Sequence, residues 1–298
     1  MDRLALKQYV EDNPGVVTMR ESLTYPGIFV LKYKKKVFFD NLWDEYLENC
    51  RGTVVDKDFN IISLPFQKIY NFRIEDSAPV LADDVEVTAY RKVNGFMCAA
   101  TWYNGDVLIS TTGSTDSPFV AYAKEMIGNN IGRYRSVCES APGVTFMFEV
   151  CHPADPHIVT ETPGMYLLGA RKNEFGSKID ADSTDIAFCA ELLRANVIAP
   201  INTTVGELVA MSKTVKHEGF VFYTQDGTGA KIKSPYYLTA KWIARNPKTD
   251  KLMTKGFKEQ IDEEYYGLLF YIRENIKSFT AMDEQARLVW IHDFLEKQ

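Results

Sequence analysis

Asn104-Gly105 separates two largely apolar runs, 97–103 and 106–111, and so dictates a tight β-hairpin near the middle of the chain. Both residues accept the positive φ angles of a two-residue turn whose twist matches that of the strands it joins. The same punctuation recurs. Thr53-Val54-Val55, the turn Asp56-Lys57-Asp58 and Asn60-Ile61-Ile62 predict a second hairpin. Residues 219–223, Gln225-Asp226-Gly227 and residues 229–233 predict a third. Further strand-like stretches lie at 28–33, 36–39, 144–150 and 165–170. Helical patterns lie at 4–11, 117–127, 185–195 and 204–211, the last with Thr203 or Thr204 as its cap. From residue 237 onward the character changes, and 261–276 and 283–295 read as amphipathic helices. Antiparallel hairpins with interspersed helices, then a helical tail, predict an α+β domain with flanking helices followed by a small all-α domain. Asn246-Pro247-Lys248-Thr249-Asp250 reads as the boundary, giving domains 1–246 and 247–298.

The bulk properties narrow the function. A chain of 298 residues with 46% hydrophobic and 25% charged residues can bury a sizeable core. No apolar run is long enough to span a bilayer, and the N-terminus lacks a secretory pattern. Five scattered cysteines, an odd number without paired spacing, fit a reducing compartment, so a cytoplasmic protein is expected. A net charge of −6 argues against coating nucleic acid by bulk electrostatics, but leaves room for a local basic groove.

Charged residues on otherwise apolar strands are the chemical signal. Arg91-Lys92-Val93-Asn94-Gly95 places an amine between two strand-like runs beside a glycine, where a phosphate can approach the backbone. Alone, such a lysine is ordinarily a solvated turn residue. Phe146-Met147-Phe148-Glu149-Val150 ends an apolar strand on a carboxylate, and Glu218 opens another. Burying either without a partner would be costly, so a cation, metal or hydroxyl should face each. Lys231 and Lys233, two apart, share one face of a strand. Arg51-Gly52 opens a hairpin, and Phe66-Gln67-Lys68-Ile69-Tyr70-Asn71-Phe72 sets a lysine among aromatics. Each has an ordinary reading, such as a solvated strand end or a charged edge. Together, one amine, two carboxylates and several cations describe a site for attack on a nucleoside triphosphate.

In this order, Lys92-Val93-Asn94-Gly95, Ser110-Thr111-Thr112-Gly113-Ser114, 146–150, Glu218-Gly219-Phe220-Val221 and Lys231-Ile232-Lys233 resemble the motifs of covalent nucleic-acid ligases and capping enzymes. With Arg51-Gly52 and residues 66–72 upstream, residues 45–240 resemble the phage-type RNA ligase 1 family. The resemblance implies an ATP-dependent nucleotidyltransferase (ATP-grasp-like) fold and a role for each residue. Lys92 would attack the α-phosphate of ATP, giving lysyl–AMP and pyrophosphate. Glu149 would hold the ribose or a metal, and Glu218 a catalytic metal, Mg2+ with Mn2+ as a substitute. Lys231 and Lys233 would stabilise the α-phosphate, Lys233 also acting on the leaving group. Arg51 and Lys68 would meet the triphosphate tail, Tyr70 would stack near adenine, and Tyr237 would lie near the nucleotide. AMP would pass to an RNA 5′-phosphate, and a 3′-hydroxyl would displace it.

The implied partners are RNA ends, including broken tRNA in RNA repair, acted on by a monomer in the cytoplasm (the host's, for a viral protein). A free lysine has a pKa of about 10.4, leaving about one in 2,500 neutral at pH 7. Neighbouring Lys231 and Lys233, with partial desolvation, are expected to lower that value and free the lone pair. Two positions depart from the family pattern. Asn94 replaces an aspartate, and the segment Ser110-Thr111-Thr112-Gly113 lacks a basic residue that relatives often carry, so one phosphate contact is expected to be missing. DNA ligases and capping guanylyltransferases are the nearest enzymatic alternatives, but normally carry an OB-fold where this chain reads helical. A non-catalytic protein binding RNA ends is the alternative of a different class. Cys151, His152 and His157 match no zinc-ligand spacing, and Tyr265, Tyr266, Phe270 and Tyr271 follow a helical period that favours core over base stacking.

Overall fold

The structure, a computed structural model, describes residues 3–181, 184–245 and 266–295. Among them the strands form three sheets. The first runs in the order β1 (Val17–Glu21), β2 (Ile28–Tyr33), β3 (Arg51–Asp56), β4 (Ile61–Ser63). It packs on the helices α1 (Arg3–Asp12), α2 (Lys35–Phe39) and α3 (Glu45–Asn49) through Leu6, Leu31, Val37, Leu47 and Val55.

The other strands are β5 (Tyr70–Asn71), β6 (Glu86–Arg91), β7 (Phe96–Tyr103), β8 (Asp106–Thr111), β9 (Val144–Cys151), β10 (Gly164–Lys172), β11 (Ile179–Asp180), β12 (Pro200–Thr204), β13 (Gly219–Thr224) and β14 (Gly229–Lys233). One sheet has the order β11-β10-β9-β7-β8 and the other β12-β6-β13-β14-β5. Helices α4 (Pro118–Ile127), α5 (Ile131–Ser140) and α6 (Thr184–Leu193) close the first of these over Ala123, Val137, Phe146, Phe148 and Leu193. Helix α7 (Val205–Ser212) closes the other over Val87, Leu208, Phe220 and Phe222. These pairings are antiparallel except β14 with β5. Helix α8 (Pro235–Arg245) packs with the closing helices Tyr266–Glu274, Ile276–Ala281 and Glu284–Leu295 around Ile243, Leu268, Ile272, Phe279 and Ile291.

The expected α+β architecture is therefore present, antiparallel hairpins included. Asn104 and Gly105 take φ of 51° and 80° at the predicted turn. Thr204 rather than Thr203 caps α7, reciprocated by Glu207 in a capping box.

Three expectations are corrected. Residues 36–39 belong to helix α2, since their short aromatic run packs Val37 inward and leaves Phe38 and Phe39 exposed. The described part of 261–276 breaks at Asn275, whose amide side chain takes the Tyr271 carbonyl. Phe270 and Tyr271 lie on the outer face, where Tyr271 stacks on Trp290 and Phe294. Tyr265 and the 246–250 boundary lie outside the described residues. No described helix is long and apolar enough to cross a membrane.

Candidate active site

Residues 92–95 carry the chain from one five-stranded sheet to the other, between β6 and β7, and this crease gathers the charged groups. The Lys92 amide donates to the Gly219 carbonyl of β13 at 2.8 Å. On the far side the Gly95 amide donates to Glu149 Oε1 of β9 at 3.0 Å. Only a residue without a side chain fits there, because a Cβ on Gly95 would lie 2.2 Å from the Val150 carbonyl oxygen.

The lysine amine meets a carboxylate. Lys92 Nζ lies 2.9 Å from Glu218 Oε2, and Lys233 Nζ 3.4 Å from Glu218 Oε1. Glu218 is 2% exposed and Glu149 8%, so both carboxylates are buried, Glu149 on β9 and Glu218 in the bend just before β13. Burial and repulsion from Glu218 raise the pKa of Glu149 despite Lys92 nearby. At Glu218 burial also acts upward, but Lys92 and Lys233 outweigh it and hold the carboxyl below its usual range.

Lys92 corrects an expectation. Burial alone would lower its pKa, yet Glu149 and Glu218 more than reverse this and raise it. The cation that opposes them most is Arg51, not the strand lysines. The depressed amine lies elsewhere: burial, then Lys68, Arg51 and Lys233, push Lys231 down to about 7. Lys233 is also lowered, by burial, with Glu218 acting against the shift.

Asn94 explains its own identity. Its Nδ2 donates to Glu218 Oε2 at 2.7 Å, while its Oδ1 accepts from the Val159 amide at 2.9 Å. An aspartate would have no donor for Glu218. Tyr237, near the start of α8, lies under both Lys233 and Lys241, whose amines sit 4.9 and 5.3 Å from its ring centroid. Ser234 sets that geometry, accepting from the Tyr237 amide at 3.1 Å and donating to the His217 carbonyl at 2.5 Å.

Arg51 and Lys68 arrive from the other side. Arg51 and Gly52 together face Lys32 of β2, forming a bulge in which Gly52 adopts φ of 100°. A Cβ there would sit 2.9 Å from Thr112 Cα, so glycine lets the 111–112 backbone close on β3. Lys68, 7% exposed, pairs with Glu75 inside a cage of Tyr70, Trp43 and Phe38 at 4.5, 4.9 and 5.7 Å. The Tyr70 ring is thus covered by Lys68 on one side, and its hydroxyl donates to Glu48 at 2.6 Å. Tyr70 and Asn71 pair with Ala230 and Lys231, which brings this segment to the strand lysines.

Of the nine residues singled out from sequence, Lys92, Glu149, Glu218 and Lys233 act directly on one another at the crease, and Tyr237 lies beside Lys233. Arg51, Lys68 and Lys231 are linked to them through charge, and Tyr70 turns its hydroxyl to Glu48. Glu161, 6% exposed at its side chain, joins the site without any local pattern to announce it. It takes both hydrogen bonds of Arg91 Nη1 at 2.7 and 2.8 Å and accepts the Asn94 amide at 3.2 Å. A carboxylate in a proline-rich loop carries no local signature of such a role. Arg171, 2% exposed, was also unmarked. Burial pushes it down to about 10, and it donates to the Pro65 carbonyl and Asn49, fastening the 49–65 segment to β10. His152 stacks on Tyr122 and faces Glu125 at 3.3 Å, while His157 faces Asp155. Among the described residues no three His, Cys, Asp or Glu side chains gather as a metal cluster. Broader clefts, such as that lined by Phe146, Lys172, Phe175 and Cys189, include none of the nine groups.

The fold is the one found in ATP-dependent nucleic-acid ligases. An archaeal ATP-dependent RNA ligase superimposes with a TM-score of 0.58 at 15% identity, over 92% of this chain and 79% of that one. A second form of an archaeal ATP-dependent RNA ligase gives 0.55 at 13% identity, over 95% and 76%. An Aquifex aeolicus protein provisionally named an ATP-dependent DNA ligase gives 0.56 at 16%, over 96% and 76%. The chain matches no protein-family profile.

Proposed function

We propose that the protein is an ATP-dependent RNA ligase that joins 5′-phosphate and 3′-hydroxyl ends through a lysyl–AMP. The observation that supports it is the crease itself: one amine, Lys92, acted on by two buried carboxylates, with Lys231 and Lys233 on β14, Arg51 on β3 and Lys68 ahead of β5 adding positive charge. Lys92 Nζ forms a bond to the α-phosphorus of ATP, and the bond to the β-phosphate oxygen breaks, pyrophosphate leaving with the electron pair. The lysines and Arg51 meet the charge that builds on the phosphoryl oxygens.

Lys92 first gives up a proton to solvent, while Glu218 Oε2, hydrogen-bonded at 2.9 Å, orients the amine. Glu149 and Glu218 suit Mg2+ or Mn2+, a hard cation that takes one or two carboxylates and completes its shell with phosphate and water. Such an ion would supply positive charge that weakens the hold of both carboxylates on the Lys92 proton. The segment 247–298, whose described helices Tyr266–Glu274, Ile276–Ala281 and Glu284–Leu295 pack on α8, is proposed to select a substrate such as broken tRNA. A monomer working on RNA repair in the cytoplasm completes the proposal.

Labelled ATP and Mg2+ test it. Label that survives denaturation and disappears in Lys92→Ala supports the ligase; an unlabelled parent protein sinks it. Preference for ATP over GTP separates it from capping, and sealing of RNA but not DNA ends settles the polynucleotide.

A further inference from the structure

Lys32, on β2, was no part of the site read from sequence, yet its side chain lies across the 111–113 loop that closes on Gly52. An ideal Cβ on Gly113 would stand 3.2 Å from both Cδ and Nζ of Lys32, so the bare glycine backbone is what the lysine rests on. Lys32 is also the direct cross-strand partner of Arg51 at the bulge, and partners in register project to the same side of a sheet. Neither Lys32 nor Arg51 makes an ion pair with a carboxylate among the described residues, whereas Lys68, Lys92 and Lys233 each do. Lys231, lowered first by burial, is acted on next by Lys68, Arg51 and Lys233, with Glu75 the weaker opposing charge. Two unpaired cations on adjacent strands, beside that lysine, leave a surplus of positive charge that calls for a polyanion.

We propose that Lys32 binds the pyrophosphate half of the nucleoside triphosphate, supplying from β2 the cation that the Ser110-Thr111-Thr112-Gly113 segment lacks. Arg51 acts on the charge of Lys92, and Lys32 lies opposite Arg51 on the adjacent strand, about 4.8 Å across and exposed to solvent. In the proposed arrangement a triphosphate attacked at its α-phosphorus by Lys92 runs past Arg51 and ends at Lys32. The inference rests on the adenylylation reading above.

Single-turnover labelling separates the two. Lys32→Ala should raise the KM for ATP about tenfold with kcat within about twofold, as loss of one charged phosphate contact at about 1.4 kcal/mol per decade requires. It should weaken pyrophosphate equally in the reverse reaction, which regenerates ATP from the lysyl–AMP. Transfer of AMP from preloaded enzyme to a 5′-phosphorylated RNA should be unchanged. The double variant Lys32→Ala/Thr112→Lys should recover most of the ATP affinity, because both positions deliver an amine to the same loop. If the parent takes no label, the ligase reading fails. If the parent is labelled and Lys32→Ala matches it, or only transfer to RNA suffers, the inference alone fails.

Discussion

Replacing Lys231 by methionine should stabilise the protein while destroying its chemistry, and the size of the gain should depend on pH. The amine is held at about 7 against an ordinary value of 10.5, first by burial and then by Lys68, Arg51 and Lys233. At about 1.36 kcal/mol per pH unit, that gap corresponds to about 5 kcal/mol below pH 7 and about 2 kcal/mol at pH 9. Solvent reaching the half-buried residue reduces these to about half. Between pH 7 and 10.5 the unfolded chain keeps a proton that folded Lys231 has released, so stability of the parent rises with pH across that window. Lys231→Met removes the titrating group at nearly constant volume. Its melting temperature should therefore exceed that of the parent by about 5–10 °C at pH 6 and by about 2–4 °C at pH 9, at about 2–4 °C per kcal/mol for a chain of this size. Thermal melts of both proteins at the two pH values measure it, with the ATP label as the activity readout. An advantage equal at both pH values, or larger at pH 9, would refute the reasoning.

Asn94→Asp replaces the donor to Glu218 by a second carboxylate, at a contact of 2.7 Å. The new carboxyl is raised by its neighbour, so about 2–3 kcal/mol should be lost at pH 8 and partly regained at pH 5, where it is protonated; a pH-independent melt would contradict this. Gly95→Ala drives a methyl into the Val150 carbonyl, and should lower the melting temperature and abolish the label together. A normal melt with a normal label would show that the crease is softer than described.

Much of this site was legible because strand alternation translates directly into side-chain direction. Lys231 and Lys233 share a face for that reason; β9 runs on to Cys151 and is buried from Thr145 onward, so Glu149 is carried inside by a strand covered on both faces. The Asn104-Gly105 turn followed from backbone sterics. What escaped depends on chain crossings. Glu161 acts on Arg91 across 70 residues and Lys32 rests on Gly113 across 81, so no local pattern could announce either. Helix α5, rich in polar and basic residues and opening on Ile131-Gly132-Arg133, gives only a weak periodic signal, and Tyr134, Val137 and Cys138 became its buried face only once β9 and α6 were in place. The Lys92 shift runs upward because Glu149 and Glu218 act on the amine more strongly than any neighbouring cation, a balance set by chain crossings rather than by local sequence.

Tyr237 sits in two places at once. One side of its ring faces the amines of Lys233 and Lys241, and the residue also belongs to the apolar cluster formed with Leu268, Ile272, Phe279 and Ile291. Anything that binds the closing helices and changes how they seat on α8 should therefore alter affinity at the proposed nucleotide crease. By reciprocity, a bound nucleotide alters affinity at the helices by the same factor. Cutting the chain after Asn246 would not remove a detachable module. It would open the α8 face under Tyr237, Ala240 and Ile243 to water and loosen the seat of Tyr237 beside Lys233 and Lys241.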